Sequence, residues 1–336
     1  HEVGDHRDLA ALRRISEGCA VVTFDHEHVP TEHLHALEAA GIACRPGPAA
    51  LVHAQDKAVM RAAIARIGAP QPRWEVVGSV EELERFGLPC VLKVTRGGYD
   101  GRGVQVLHTL DDAAAALAEG GAGGVPLLAE ELVDFRRELS ALVARSPSGE
   151  MVSYPVVATT QVDGICTEVV APAPDLAPDT ASEARDLARS IAEELDVTGI
   201  LAVELFEAAD GGILINELAM RPHNTGHWTQ DGALTSQFEN HLRAVLDLPL
   251  GAPDPRARWT VMVNVLGASG PAADPYDRVP QVLARDPGLR VHLYGKEARP
   301  GRKVGHVNVS GDDLDACLER ARVGAAGLRG ELDTEA

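Results

Sequence analysis

Two apolar runs separated by the turn residues "ADGG" make up the segment "GILAVELFEAADGGILINELAM", residues 199–220. This pattern predicts an antiparallel hairpin that turns through 209–212. Each run carries one glutamate, Glu204 in the first and Glu217 in the second. Residues that face each other across two antiparallel strands share one face of the sheet. The segment therefore predicts an antiparallel sheet in this part of the chain, with two carboxylates side by side.

Two neighbouring carboxylates repel each other unless a cation neutralises them. Mg²⁺ is such a cation, because it binds one or two carboxylates together with waters and substrate phosphates. The hairpin thus suggests that Glu204 and Glu217 hold Mg²⁺, with Asn216 as a neutral oxygen donor. The hairpin alone leaves open a plainer alternative, a pair of surface glutamates on an edge hairpin.

The start of the chain predicts an α/β arrangement. A helix at 8–17 leads into a strand at 19–24, and a second helix follows with Thr31 as its N-cap. Strands that alternate with helices are typical of a parallel sheet. Because the chain opens within such an element, we expect residues 1–62 to belong to a truncated parallel-sheet domain whose earlier units precede residue 1.

The rest of the chain predicts two further units. The run "PGPAALVHAQDKAVMRAAIARIGAP" predicts one helix, and strands at 90–95 and 103–107 with a helix at 111–119 predict a small α+β lid domain over 63–128. Residues 129–336 predict a larger mixed-sheet domain that ends in a segment for binding a substrate phosphate. Its helices are predicted at 181–195, 234–246 and 311–327, and its later strands at 259–266, 290–294 and 304–309.

The charge balance restricts the partners of the chain. Thirty-one basic residues against 50 acidic ones give a formal charge of −19, which argues against nucleic acid and anionic membranes as main partners. An anionic ligand must therefore be held by local cations and backbone N–H groups. The five cysteines are scattered without a CxxC pair, which favours reduced thiols and a cytoplasmic protein.

A glycine-rich connection, "TRGGYDGRG" at 95–103, follows Lys93 on a predicted strand. Glycines allow successive N–H groups to turn inward and form an anion-binding nest. A lysine on a buried strand is costly unless a charge meets it, so a phosphate is a plausible partner for Lys93. A long hairpin loop without a ligand is the alternative. Lys57, in "QDKAVMR", stands at a helix start, where the dipole favours an anion.

The order of these parts is that of the ATP-grasp enzymes. More closely, "VTFDHEHVP", "QDK", "GGYDGRG", "NELAMRPHNTGHW" and "LYGKEARPGRKVGHVN" resemble the N5-carboxyaminoimidazole ribonucleotide synthases, the ATP-dependent carboxylases of purine biosynthesis. The similarity spans residue 1 to about residue 310. It implies an ATP-grasp fold and a homodimer, and it implies that about fifty residues of the family's amino-terminal unit are missing, with part of the ribonucleotide phosphate site.

The resemblance assigns a set of residues to the nucleotide: Lys57, Lys93, Gly98, Tyr99, Gly101, Glu130, Val133, Glu138 and Asn216. Among these, the two lysines would contact phosphates beneath a closing loop at 96–103. Glu130 and the backbone of Val133 would bind adenine, and Glu138 would bind ribose. Glu204 and Glu217 would hold Mg²⁺.

The resemblance also assigns catalytic roles to Arg221, His223 and Asp100. Aminoimidazole ribonucleotide would be faced by Asp100, Arg221, His223, Asn224, Lys296, Arg302 and Lys303. Arg302 suits the 5′-phosphate because a guanidinium grips phosphate with two parallel bonds. For His227 two interpretations stay open, a direct role in the site and a role in holding the loop by hydrogen bonds.

The activity implied is carboxylation of the ribonucleotide by bicarbonate, with ATP and Mg²⁺, through carboxyphosphate. Two alternatives remain at this stage. One is another carboxylate–amine ligase on the same scaffold, such as a formate-dependent glycinamide ribonucleotide transformylase. The other is a nucleotide-binding protein without catalysis, for which the complete set of Glu204, Glu217, Lys93 and Arg221 would be unnecessary.

Overall fold

The computed structural model of the chain describes residues 3–98, 103–121, 125–267 and 274–332. The predicted lid residues Tyr99, Asp100 and Gly101 lie outside the described residues. Within the described ranges, no helix is both long enough and apolar enough to cross a membrane.

The amino-terminal segment contains four helices: α1 (Leu9–Ser16), α2 (Thr31–Ala39), α3 (Pro48–Gln55) and α4 (Lys57–Arg66). In place of the strand predicted at 19–24, the described residues show a single parallel bridge, between Val22 and Cys44. The prediction of Thr31 as N-cap is wrong, because Pro30 takes that position and the Thr31 hydroxyl donates to Gln55 instead.

The prediction of a single helix across "PGPAALVHAQDKAVMRAAIARIGAP" is also wrong, since α3 ends at Gln55 and a separate helix, α4, begins at Lys57. Asp56 has an extended backbone, and its carboxylate accepts hydrogen bonds from the N–H groups of Ala58 and Val59. A short acidic side chain satisfies the free N–H groups of a new helix better than it continues an old one. The break places Lys57 at the first position of α4.

A four-stranded antiparallel sheet follows, with strand order β1-β4-β2-β3. Its strands are β1 (Trp74–Val77), β2 (Cys90–Val94), β3 (Val104–Leu107) and β4 (Leu127–Glu131), and its helices are α5 (Val80–Phe86) and α6 (Leu110–Gly121). Leu83 and Phe86 of α5 and Ala113 of α6 pack with Leu92 into one apolar cluster. Because β4 is a central strand of this sheet, we propose the domain boundary after Glu131 rather than after residue 128.

The second sheet has nine strands, in the order β10-β9-β5-β7-β8-β11-β13-β12, with β6 paired to β5. Its strands are β5 (Phe135–Arg145), β6 (Met151–Ser153), β7 (Val157–Val162), β8 (Ile165–Ala171), β9 (Gly199–Ala208), β10 (Ile213–Ala219), β11 (Trp259–Leu266), β12 (Arg290–Leu293) and β13 (Lys303–Gly311). The helices are α7 (Pro178–Glu194), α8 (Thr229–Gly232), α9 (Gln237–Val245), α10 (Pro275–Arg285) and α11 (Leu314–Arg329). The hairpin predicted at 199–220 is formed by β9 and β10.

The two faces of this hairpin have different surroundings. Leu201, Val203 and Leu205 of β9 belong to an apolar cluster that includes residues of α4 and α7. Alternate residues of a strand point to opposite faces, so Glu204 lies on the other side. Ala202 on that side packs with Leu142 and Trp228. The face that carries the glutamates is therefore covered by the segment that follows β10.

Candidate active site

An extra residue in β10 brings Glu204 and Glu217 face to face. From the turn, β10 and β9 pair regularly as far as Ile215, which lies opposite Leu205. Continued regularly, the register would pair Glu217 with Val203 and direct it to the apolar face. The register shifts at Asn216, and Glu217 lies opposite Glu204 instead. The structure thus has the predicted pair of facing glutamates, and a β-bulge that the sequence did not reveal produces it.

A third acid lies on the same face. Ser140 of β5 pairs with Glu204, and Glu138 is two residues before it on the same strand. Burial raises the pKa of Glu138 to about 7. Burial, followed by the charges of Glu217 and Glu138, raises the pKa of Glu204 to about 7. An additional cation at this place would relieve the repulsion and stabilise the ionised forms.

The donor set at this place fits Mg²⁺. Glu204 and Glu217 keep 24% and 43% of their side chains exposed, so both side chains are partly accessible from solvent. Across the part of the chain that the structure describes, no group of three or more His, Cys, Asp or Glu side chains could enclose a metal. A pair of carboxylates that leaves the remaining positions to waters and nucleotide oxygens is typical of Mg²⁺ sites.

Two lysines converge on the bulge from different elements. Lys57, at the start of α4, forms an ion pair with Glu217. Lys93, on β2, lies 2.7 Å from Glu130 and donates to the Asn216 side-chain oxygen at 3.2 Å. Each lysine is mostly buried, with 13% and 11% of its side chain exposed. The two predicted phosphate ligands thus come from separate parts of the fold and meet at adjacent residues of one strand.

Glu130, which the resemblance assigns to adenine, has a side chain that is held between two cations. Its side chain is 3% exposed, with Oε1 at 2.7 Å from Arg61 and Oε2 at 2.7 Å from Lys93. Burial alone would raise the pKa of Glu130, but Lys93 and Arg61 outweigh it and hold the pKa below its ordinary value. Glu130 is therefore an anion between two buried cations. Val133 is half-buried in the link from β4 to β5, and the assignments of Glu130 and Val133 to adenine both stay predictions.

The described end of the glycine-rich loop is fastened to α4. The Lys57 N–H donates to the Thr95 carbonyl at 2.9 Å, and Arg96 lies 2.7 Å from Asp56. Gly98 is the last described residue before the gap and is half-buried. The helix that carries Lys57 thus also fixes the base of the predicted lid.

The segment after β10 lies over the acidic face. Arg221 forms a 2.7 Å ion pair with Glu27 of the amino-terminal segment. The Nε2 atom of His223 lies 3.5 Å from Glu204, and its Nδ1 atom lies 2.9 Å from the Thr225 hydroxyl. Burial, followed by the charges of Arg221 and Lys303, holds the pKa of His223 well below its ordinary value. The imidazole beside Glu204 is therefore neutral at pH 7.

A buried glutamine holds this segment in place. Gln237 accepts from the His223 N–H at 2.9 Å and donates to the His223 carbonyl at 2.7 Å. Its amide nitrogen also lies 2.9 Å from Nδ1 of His227. The contact supports the loop-holding interpretation of His227. Asn224 is engaged elsewhere, exchanging side-chain hydrogen bonds with Asn264 of β11 at 2.8 and 3.0 Å.

The predicted phosphate cations divide into two groups. Lys296 and Arg302 are exposed, with the Lys296 ammonium 5.2 Å from the centre of the Tyr294 ring and Arg302 bound to the Glu297 carbonyl. Lys303 begins β13, and its charge lowers the pKa values of Glu204 and His223. Lys303 thus acts on the acidic face, while the other two cations lie where solvent has access.

Known proteins match the chain along most of its length. Residues 62–238 match the model of the ATP-grasp domain, and residues 260–320 match that of the phosphoribosylaminoimidazole carboxylase C-terminal domain. The N5-carboxyaminoimidazole ribonucleotide synthase of Mycobacterium tuberculosis is 56% identical, over 96% of this chain and 76% of its own length. The chain belongs to the N5-carboxyaminoimidazole ribonucleotide synthase family.

Solved structures of this family share the fold. A crystal structure of an N5-carboxyaminoimidazole ribonucleotide synthetase with ADP has a TM-score of 0.87 and 37% identity, over 96% of this chain and 84% of that one. The Aspergillus clavatus enzyme, solved with ADP and 5-aminoimidazole ribonucleotide, has a TM-score of 0.89 and 31% identity, over 98% and 86%. These similarities confirm the predicted ATP-grasp fold.

Three residues of the site were missed by sequence reasoning: Glu27, Arg61 and Gln237. Arg61 had a usable signal, since it follows Lys57 by four residues and so lies on the same side of α4. Glu27 lies within the quoted motif "VTFDHEHVP". Gln237 had no such signal, because its contacts depend on how α9 packs under the segment after β10.

Proposed function

We infer that the chain catalyses the ATP-dependent carboxylation of 5-aminoimidazole ribonucleotide by bicarbonate. The products are N5-carboxyaminoimidazole ribonucleotide, ADP and phosphate, within purine biosynthesis. The observation that carries this function is the pair Glu204 and Glu217, opposite each other and within reach of Lys57 and Lys93, in a chain of this family.

Phosphoryl transfer from ATP to bicarbonate requires alignment and charge neutralisation more than covalent help from the protein. We propose that Lys57 and Lys93 bind the phosphates, and that Glu204 and Glu217 hold Mg²⁺. The metal, when bound, neutralises charge that develops on the transferred phosphoryl group. Each lysine lies beside a glutamate, which keeps its ammonium group in place for a phosphate.

Carboxyphosphate is short-lived in water, so the amine must be placed against it while solvent is excluded. We propose that Arg221 and His223 face the reacting groups and that the loop at 96–103, with Asp100, closes over them. Asn224 would contact the ribonucleotide, while Lys296, Arg302 and Lys303 would bind its phosphate. His223, with its Nε2 atom 3.5 Å from Glu204, is placed to orient bicarbonate or to assist proton transfer from the amine.

The cellular setting is part of the same proposal. All five cysteines are free thiols, as expected for a protein of the cytoplasm. We propose a cytoplasmic homodimer, which light scattering of the purified protein would test. A molar mass of one chain at micromolar concentration would exclude the dimer.

Product analysis with isotopically labelled one-carbon donors tests the reaction. With ATP and aminoimidazole ribonucleotide, label from bicarbonate is expected in the product, and label from formate is not. Phosphate release should require both bicarbonate and the ribonucleotide. Incorporation of formate into glycinamide ribonucleotide would favour the transformylase, and nucleotide binding without any phosphate release would favour a protein without catalysis.

A further inference from the structure

Arg61 is a completely buried arginine that joins three parts of the nucleotide site. Its Nε atom lies 2.7 Å from Glu130, on the central strand β4 of the small sheet. Its two terminal nitrogens donate to the carbonyls of Ile215 and Asn216, at 2.7 and 2.9 Å, on the edge strand β10 of the large sheet. Its own helix, α4, begins with Lys57. A guanidinium has a planar array of donors that suits such simultaneous contacts.

The two carbonyls converge on Arg61 because of the bulge. In a regular strand, successive carbonyls point to opposite edges, so only one of two neighbours would face outward. The register shift at Asn216 turns the carbonyls of Ile215 and Asn216 to the same side, where the guanidinium binds both. Without a donor there, two backbone acceptors would be left without partners in a buried place, which costs stability. Arg61 therefore stabilises the irregular backbone that sets Glu217 opposite Glu204.

The third contact reaches Lys93 through Glu130. One oxygen of Glu130 is held by Arg61 and the other by Lys93, which places the lysine where it also meets Asn216. Because Glu130 is buried, its orientation depends on both cations. A shift of the Arg61 side chain would move the carboxylate and with it the ammonium group of Lys93.

We propose that Arg61 is a positioning residue for the nucleotide and its metal, fixing Lys93 through Glu130 and Glu217 through the bulge. The inference rests on the proposed function for the identity of the ligand. It assigns to Arg61 no contact with ATP. Its role is to keep the lysine of one sheet and the carboxylate of the other at a fixed separation.

The test compares Arg61→Lys with a matched control, Arg137→Lys. Arg137 also binds a glutamate, Glu207, and the carbonyls of Pro174 and Asp175, and Glu207 lies on the opposite face of β9 from Glu204. Lysine keeps the charge in both variants but cannot make all three contacts. For each variant, calorimetry measures the Kd of ADP at several Mg²⁺ concentrations, and thermal unfolding measures stability.

Both variants are expected to lose stability. Only Arg61→Lys is expected to weaken ADP binding in the presence of Mg²⁺, by about tenfold, because charge-assisted contacts are worth about one to two orders of magnitude in affinity. It should also raise the Mg²⁺ concentration needed for half-maximal binding. Wild-type ADP affinity and Mg²⁺ dependence in folded Arg61→Lys would overturn the proposal, as would an equal loss of affinity in Arg137→Lys.

If Arg61→Lys does not fold, Glu130→Asp decides the question, because the shorter acid keeps its charge but cannot reach both cations. Weaker ADP binding supports the proposal and wild-type affinity refutes it. ADP binding is measured without bicarbonate or ribonucleotide. A wild-type chain that binds ADP but never carboxylates would therefore refute the proposed function alone.

Discussion

Glu217 lies directly opposite Glu204, although the register that the turn sets would pair Glu217 with Val203. One extra residue, Asn216, separates the two arrangements. The bulge within β10 therefore determines which face of the sheet carries the second carboxylate. Arg61 binds the backbone carbonyls at this bulge.

Glu217→Gln is expected to lower ATP turnover by about 100-fold or more, because the metal contributes several kcal/mol of transition-state stabilisation. The measurement is phosphate release at increasing Mg²⁺ concentration. Asp210→Asn, in the turn of the same hairpin, is the control, since asparagine retains the side-chain oxygen that accepts from the Gly212 N–H. Near-normal turnover of the Glu217→Gln variant at saturating Mg²⁺ would contradict the metal role.

Arg302→Ala is expected to raise the KM for the ribonucleotide by about tenfold while the KM for ATP changes by less than about twofold, because one charged phosphate contact is removed. Steady-state kinetics with each substrate varied in turn gives both values. Arg299→Ala is the control, because Arg299 is a nearby exposed arginine that lies 2.7 Å from Glu297. Equal increases in the two KM values would remove Arg302 from the phosphate site.

Gln237→Met is expected to lower the free energy of unfolding by about 2–3 kcal/mol, because it strips partners from buried backbone and imidazole groups of the segment after β10. The kcat should fall as well, since His223 loses its support. Urea unfolding and kinetics measure the two effects. The control is Gln230→Met, an exposed glutamine of the same segment with one 3.4 Å contact to His292. A wild-type kcat for Gln237→Met would separate the glutamine from the site.

Buried histidines should make the fold less stable as the pH falls below about 6.5. Burial lowers the pKa of His241 to about 4, whereas the unfolded chain protonates near 6.5. Between these values only the unfolded state takes up the proton, so stability is complete above pH 6.5 and falls as the pH drops toward 4. Each such group contributes a slope of up to about 1.4 kcal/mol per pH unit.

Unfolding by urea from about pH 7.5 to about pH 4.5 measures this slope. His227 and His306, whose pKa values burial lowers to about 3 and about 2, add to it. Glu138 and Glu204, whose pKa values are raised to about 7, act in the opposite direction between about pH 7 and pH 4.5. His241→Gln removes one group that takes up a proton on unfolding, so stability should depend less steeply on pH in this variant. An unchanged slope in that variant would show that His241 does not take part.

The parts of the fold that sequence predicted are those fixed by local patterns. The β9–β10 hairpin follows from two apolar runs around a glycine turn, and β2, β3 and α6 lie close to their predicted positions. The boundary between α3 and α4 was missed because the residues on both sides of Asp56 form helices readily. The boundary is set by one residue, the N-cap Asp56, and a single acidic residue does not by itself interrupt a helical sequence pattern.

The site was predicted less completely because its irregularities depend on distant residues. The carbonyls at the bulge are bound by Arg61 from another element, and the burial of Glu130 follows from the central position of β4 in its sheet. Neither is visible in the residues next to it. The strand expected at 19–24 has only one bridge, through Val22, within the described residues. A strand is defined by its neighbours, and an apolar run does not specify them.

The bulge at Asn216 has the form of a one-residue insertion. In a strand one residue shorter, an unbroken ladder would set the glutamate against Glu204, so the bulge is what keeps the two carboxylates opposite each other when Asn216 is present. What the additional residue supplies is a carbonyl for Arg61 and an amide oxygen for Lys93. Lengthening a strand by one residue thus attaches two further elements of the protein to the carboxylate pair without displacing either carboxylate.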